Sequence, residues 1–228
     1  MSYTNPLEIP EITGLVASYL EGKDLAHCVQ VSKKWRDLLL PYRWKTVNVG
    51  AVLTTYPSRQ YPRRRFGPHP SDIYRHRHLI HDLTLTGETN GLENCNYPNL
   101  RKLDLSLLGA EDFERELFLE LTEPFPSLVS LCLQSLKLAS PSWLSLSAHP
   151  RVTELILCDM AVKAADEPLF WVLCERLETL SFFTVIFDNG TIPAEGMFDR
   201  LRVLDVSEVE NIALSAQMDL ILRCPNLK

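Results

Sequence analysis

After residue 78 one hexamer recurs to the end of the chain: L-x-x-L-x-L, with Ile, Val or Phe allowed for Leu. It runs as Ile80-x-x-Leu83-x-Leu85, Leu100-x-x-Leu103-x-Leu105 and Leu128-x-x-Leu131-x-Leu133. It returns as Val152-x-x-Leu155-x-Leu157, Leu177-x-x-Leu180-x-Phe182 and Leu201-x-x-Leu204-x-Val206. Successive starts lie 20, 28, 24, 25 and 24 residues apart, and Leu227 opens a seventh after 26 more. One hexamer means little in a leucine-rich chain; six in tandem at this period leave few folds open. The x-Leu-x-Leu core puts two side chains on one face of a short strand. Stacked in parallel, such strands bury those faces as one ladder, each unit resting on its neighbours. The segments between carry helical patterns at 112–121, 168–173 and 216–222. Pro98, Pro126, Pro150 and Pro225 each stand two residues before a repeat. Trp44-x-x-Val47-x-Val49 fits the same template and predicts a first rung ahead of the others.

The hexamer and its period resemble leucine-rich repeats. That resemblance implies an irregular α/β solenoid with a parallel strand ladder. The chain departs from the family's habit of Asn or Cys three residues after the last strand leucine, where Leu108, Leu136, Met160, Val185 and Val209 stand. Without an asparagine ladder to satisfy the turn backbone, irregular coils are expected.

Residues 9–47 follow a different period. Pro10 suits a first helical turn, where its missing N–H is no loss. Ile12, Leu15, Val16, Tyr19 and Leu20 recur at helical spacing on one stripe. Gly22 is expected to stop this helix in the left-handed region, and Asp24 to cap a second with Leu25, Cys28 and Val29 inward. Ser32 is the expected cap of a third, carrying Trp35, Leu38 and Leu39 and ended by Pro41. Three helices this short are not stable alone and bury only a small core, so their leftover apolar surface must pack on something. That something is either the rest of the chain or a partner.

Spelled out, the stretch reads Ile9-Pro10-Glu11-Ile12, Leu15 to Leu20, Lys23-Asp24-Leu25, Cys28, Val31-Ser32-Lys33-Lys34-Trp35, Leu38-Leu39 and Pro41 to Val47. It resembles an F-box, the helical module that docks on the Skp-type adaptor of cullin–RING ubiquitin ligases. The resemblance implies adaptor contact through Ile9, Pro10, Ile12, Leu20, Leu25, Val31 and Trp35. Trp35 would be the principal anchor, because buried aromatics dominate interface energies. Trp44 is expected to pack internally, as the hinge to the repeats. Divergent F-box proteins of fungal type combine such a head with such repeats. The domain plan is then 1–47 for the F-box, 48–78 for the end of a first strand, a basic proline-rich loop and a linker helix, and 79–228 for about six repeats. The chain stops at Lys228 where a seventh strand should begin, so the array is expected to be C-terminally incomplete.

Residues 54–78 hold Pro57, Pro62, Pro68 and Pro70, the run Arg63-Arg64-Arg65 and Arg75-His76-Arg77-His78. The first part reads as a loop, and Ser71 as the cap of a short helix. Its charge reads as a solvated loop or as a contact for an acidic partner, and no interleaved aromatics support nucleic acid. His76, His78 and His81 lack Cys or carboxylates at ligand spacing, so no metal site is expected. Charge is uneven: residues 79–228 carry 11 Lys and Arg against 23 Asp and Glu. This biases the repeats against nucleic acid and towards neutral or basic partners. The six cysteines are scattered without a C-x-x-C pair and read as reduced. No signal pattern, membrane span, nucleophile elbow, phosphate loop or dinucleotide turn is present in the sequence.

The expected function is therefore that of a non-catalytic substrate receptor, without cofactor, in the cytoplasm or nucleus. Its partners would be the Skp-type adaptor, through it cullin and a RING protein, and a protein substrate; no nucleic acid, membrane or second copy is expected. Substrate would meet the concave strand face, at Arg101, Lys102, Asp104, Glu154, Ile156, Glu178, Ser181, Phe183, Arg202 and Asp205. Ile156 and Phe183 form a candidate apolar patch there, unless they pack on each other or on a loop. The alternative is a leucine-rich-repeat scaffold or regulator acting outside ubiquitin ligation, with the head as an N-terminal cap.

Overall fold

The computed structural model describes residues 9–51, 65–87, 95–106, 116–117, 121, 123–193 and 196–228. Three helices open it: α1 (Pro10–Ser18), α2 (Gly22–Val31) and α3 (Lys33–Lys45). There follow β1 (Thr46–Ala51), β2 (Arg65–Phe66), α4 (Pro70–His76), a 3-10 turn at Arg77–Leu79, β3 (Asp82–Thr86), β4 (Lys102–Ser106), β5 (Glu116–Leu117), β6 (Ser130–Gln134) and β7 (Lys137–Leu138). The rest is α5 (Ser140–Ala148), β8 (Glu154–Val162), α6 (Glu167–Cys174), β9 (Thr179–Phe187), β10 (Val203–Glu210) and α7 (Leu214–Leu222).

Each hexamer supplies one strand of a single sheet, ordered β10-β9-β8-β6-β4-β3-β1-β2. Every pairing in it is parallel except that of β2 on β1. Register follows the leucines. Val47, Leu83, Leu103, Leu131, Leu155, Leu180 and Leu204 stand abreast, as do Val49, Leu85, Leu105, Leu133, Leu157, Phe182 and Val206. Both rows are buried up to β9 and half-buried at β10; each buried leucine contributes about 1.5–3 kcal/mol. A second ladder runs through the backbone ahead of the strands. The carbonyl of His81 accepts from Arg101 and Lys102 N–H, that of Arg101 from Val129 and Ser130, and that of Val129 from Thr153 and Glu154. Thr153 and Glu178 repeat the arrangement, and the His81 N–H itself donates to Lys45 in α3 at 2.8 Å. The expected first rung is thus present, joined directly to the head.

No asparagine stands at the turn after each strand, and the structure answers this with backbone geometry. Ser135, Asp159, Thr184 and Glu208, one in each of the last four repeats, take φ of 53°, 51°, 57° and 57°. This left-handed residue shifts the alternation by one, so the next residue points inward: Leu136, Met160 and Val185 are buried and Val209 is half-buried. The hydroxyl of Ser135 donates to Asp159 and that of Thr184 to Glu208, both at 2.9 Å. The strand therefore continues past the bulge, as β8 and β9, nine residues each, show. A buried carboxylate ties the loop after β9: Glu167 accepts from the N–H groups of Asn189, Gly190 and Thr191.

Several local expectations are corrected. Helices form over 168–173 and 216–222, inside α6 and α7. Over 112–121 the expected helix is contradicted at Glu116–Leu117, which pair in parallel with β7; 112–115, 118–120 lie outside the described residues. Gly22 does not stop α1 but opens α2, and Asp24 lies inside α2, whose cap position is Glu21. Pro41 lies inside α3 instead of ending it; the last turn is held by the burial of Trp44. Ser32 does cap α3, accepting the Trp35 N–H at 3.1 Å. His69, not Ser71, caps α4, its Nδ1 accepting the Ser71 N–H. Within the expected loop, Arg65–Phe66 returns as the edge strand β2. Gly67 permits this: at φ +106° any side chain would strike the Asn48 carbonyl.

Candidate docking surfaces

The head has a core of its own. Ala17, Leu25 and Leu39 are buried in it, with Leu20, Cys28, Val29, Trp35, Leu38 and Tyr42 packed around them. The array's core is a separate cluster that takes only Trp44 and Leu40 from α3. Trp44 stacks on His76 with ring centroids 4.6 Å apart. Burial, helped by the nearby Arg75 and His78, lowers the His76 pKa against the pull of Asp72, which favours a neutral ring in the stack.

α1 meets α3 through its small residues. Thr13 and Ala17 are buried, and a Cβ on Gly14 would lie 3.0 Å from the Tyr42 hydroxyl. Leu15 in α1 and Tyr19 just past its end consequently face outward, 59% and 82% exposed. Val31, at the end of α2, is 67% exposed, and Ile9, Pro10 and Val16 are exposed as well. Between α1 and α3 lies an apolar cavity of about 30 Å³ lined by Thr13, Val16, Leu20, Trp35, Leu38 and Leu39. Of the residues proposed for adaptor contact, Ile9, Pro10 and Val31 are open to solvent, and Ile12, Leu20 and Trp35 are half-buried. Leu25 is corrected: at 6% exposure it belongs to the head's core. Sequence reasoning missed Leu15, Val16 and Tyr19 as surface residues. The signal was available, because Thr13, Ala17 and Leu20 form a narrower inward stripe at helical spacing.

Residues 10–49 match the F-box-like family model. The match spans the three helices of this F-box-like head and most of β1, and none of the later strands. No curated protein matches the chain.

Beyond the F-box-like head, the sheet offers a second surface. Its outward positions form three rows across the strands. The first holds Asp82, Lys102, Ser130, Glu154, Thr179 and Val203; the second Thr84, Asp104, Cys132, Ile156, Ser181 and Asp205; the third Thr86, Ser106, Gln134, Cys158, Phe183 and Ser207. Of the residues proposed for substrate, Lys102 and Phe183 are exposed here, while Asp104, Glu154, Ile156 and Asp205 are half-buried. Ser181 is buried, so it backs the surface instead of contacting a ligand. Arg101, Glu178 and Arg202 are not on these rows; they sit at the strand starts, where Arg202 pairs with Glu178 at 3.8 Å. Ile156 and Phe183 are diagonal neighbours, since Ile156 stands opposite Ser181 and Phe183 opposite Cys158. Among the described residues no group of three His, Cys, Asp or Glu side chains is placed to hold a metal. No described helix is long and apolar enough to cross a membrane.

Proposed function

We propose that this chain is a substrate receptor of a cullin–RING ubiquitin ligase, its F-box-like head docking the Skp-type adaptor and a leucine-rich-repeat array holding the protein substrate. The chain tethers: it raises the substrate's local concentration near the ligase machinery and performs no chemistry itself. The observation that carries the reading is the head's exposed apolar surface, Leu15, Tyr19 and Val31, on a unit with its own core. Leu20 and Trp35 pack within that core and not on the array, which weighs against a head that serves only as a cap. One strand per hexamer in chain order supports the repeat reading.

The test is capture of a purified Skp-type adaptor by the full chain. Leu15→Asp with Val31→Asp changes only exposed positions, so the fold is kept. The pair is expected to weaken capture by about tenfold or more and, with cullin added to the adaptor, to remove cullin from the captured complex. Undiminished capture would overturn the assignment.

A further inference from the structure

We propose that the outward face of β8, β9 and β10 binds a polypeptide segment carrying one large apolar side chain flanked by lysine or arginine. The proposal rests on the receptor reading only in calling that segment the substrate. The open face of a sheet covered on one side is ordinarily polar, and β1, β3 and β4 conform, with Thr46, Asn48, Thr84, Thr86, Lys102 and Asp104 outward. On β8 and β9 the outward positions beyond Glu154, Thr179 and Ser181 turn apolar: Ile156, Cys158 and Ala161, then Phe183 and Ile186. Phe183 is 40% exposed, and its flanking neighbours in the row, Cys158 and Ser207, are small. Strands about 4.8 Å apart put these side chains in one contiguous patch, of the kind that marks a contact site.

The border of the patch selects the partner. Glu154, Asp159, Asp205, Glu208 and Glu210 surround it on the same strands, and none pairs with a lysine or arginine among the described residues. Three are held by neutral hydroxyls: Asp159 by Ser135, Asp205 by Ser207 and Glu208 by Thr184. Their positions are thereby fixed, with no lysine or arginine among the described residues paired to them. Such a border attracts cations and repels nucleic acid and phosphorylated peptides.

A phage-displayed random nonapeptide library selected on the immobilised full chain tests this, the enriched sequences then being titrated as fluorescent peptides. Enrichment of Phe, Leu or Trp between Lys or Arg is expected. Affinity should fall about tenfold on Phe183→Ser, and by a similar factor on Asp159→Asn with Glu208→Gln or on raising salt. Enrichment of acidic, phosphate-mimicking or purely polar sequences, affinity indifferent to these changes, or no enrichment would overturn the proposal. Ile186→Ser, a second exposed change, guards against misfolding of the first. Adaptor capture measured on the same proteins separates the two readings. Peptide binding without adaptor capture removes the receptor role and leaves the surface; the reverse removes the surface alone.

Discussion

The Cys132 thiol lies on the outward face of β6, yet its pKa is pushed up to about 12. Burial is the first cause, followed by the Asp104 carboxylate opposite it on β4, the Cys158 thiol and a hydrogen bond with Asp104; Lys102 opposes weakly. At pH 8 only about one such thiol in ten thousand is ionised. At that pH about one in ten is ionised in the unfolded chain, so iodoacetamide should alkylate Cys132 in the folded chain about a thousandfold more slowly, read by peptide mass spectrometry. Asp104→Asn should speed the folded reaction. Because the folded value lies above the ordinary 9.0, the neutral thiol's contribution to stability is full below about pH 9 and is lost as pH rises from there towards 12. Urea midpoints should hold from pH 7 to 8 and fall above 9, and Cys132→Ala should flatten that fall; equal slopes in both proteins would contradict it. None of this was legible in the sequence, which shows Cys132 only as an alternate strand position.

At the scale of elements, the strands were legible and the bends between them were not. Leucine spacing marks β3, β4, β6, β8, β9 and β10, because inward side chains must alternate and must repeat once per unit. The apolar residues at 136, 160, 185 and 209 promise only that an asparagine ladder is missing. What replaces it, a left-handed residue one position earlier, has no common spelling: Ser135, Asp159, Thr184 and Glu208. α5 was missed for a similar reason, its serines at 140, 142, 145 and 147 masking the buried Trp143 and Leu146. Thr184 is the least suited of the four bulge residues, since a β-branched side chain resists positive φ. Asparagine tolerates that region and keeps a donor for Glu208. Thr184→Asn is expected to raise stability by about 0.5–1 kcal/mol, measured by denaturant titration. A loss of that size would mean that the hydroxyl bond to Glu208 outweighs the backbone strain.

Across the whole molecule, two cores share one continuous backbone. Helix α3 runs from the head into β1 without a break, Trp44 enters the array's core and stacks on His76, and Lys45 begins the carbonyl ladder that Arg202 ends at Lys228. The sequence showed Trp44 as a hinge residue because it heads the first hexamer, but Pro41 hid the continuity of α3. The orientation of α1 was legible only through the narrow stripe Thr13, Ala17 and Leu20, which the broader run of large residues masks. The head's core is small, with Ala17, Leu25 and Leu39 buried and Trp35 supplying the largest ring against them. Removing a ring of that size costs about 3–5 kcal/mol, more than so small a core can lose. The array buries leucines from β3, β4, β6, β8 and β9 and draws nothing from Trp35. Trp35→Ala should therefore unfold the head alone. Hydrogen exchange should show lost protection in α1, α2 and the first turns of α3, with β3 to β10 unchanged and adaptor capture abolished. If β3 and β4 lose protection together with α1, the head and the array unfold as one unit, and the boundary between the two cores is not an energetic one.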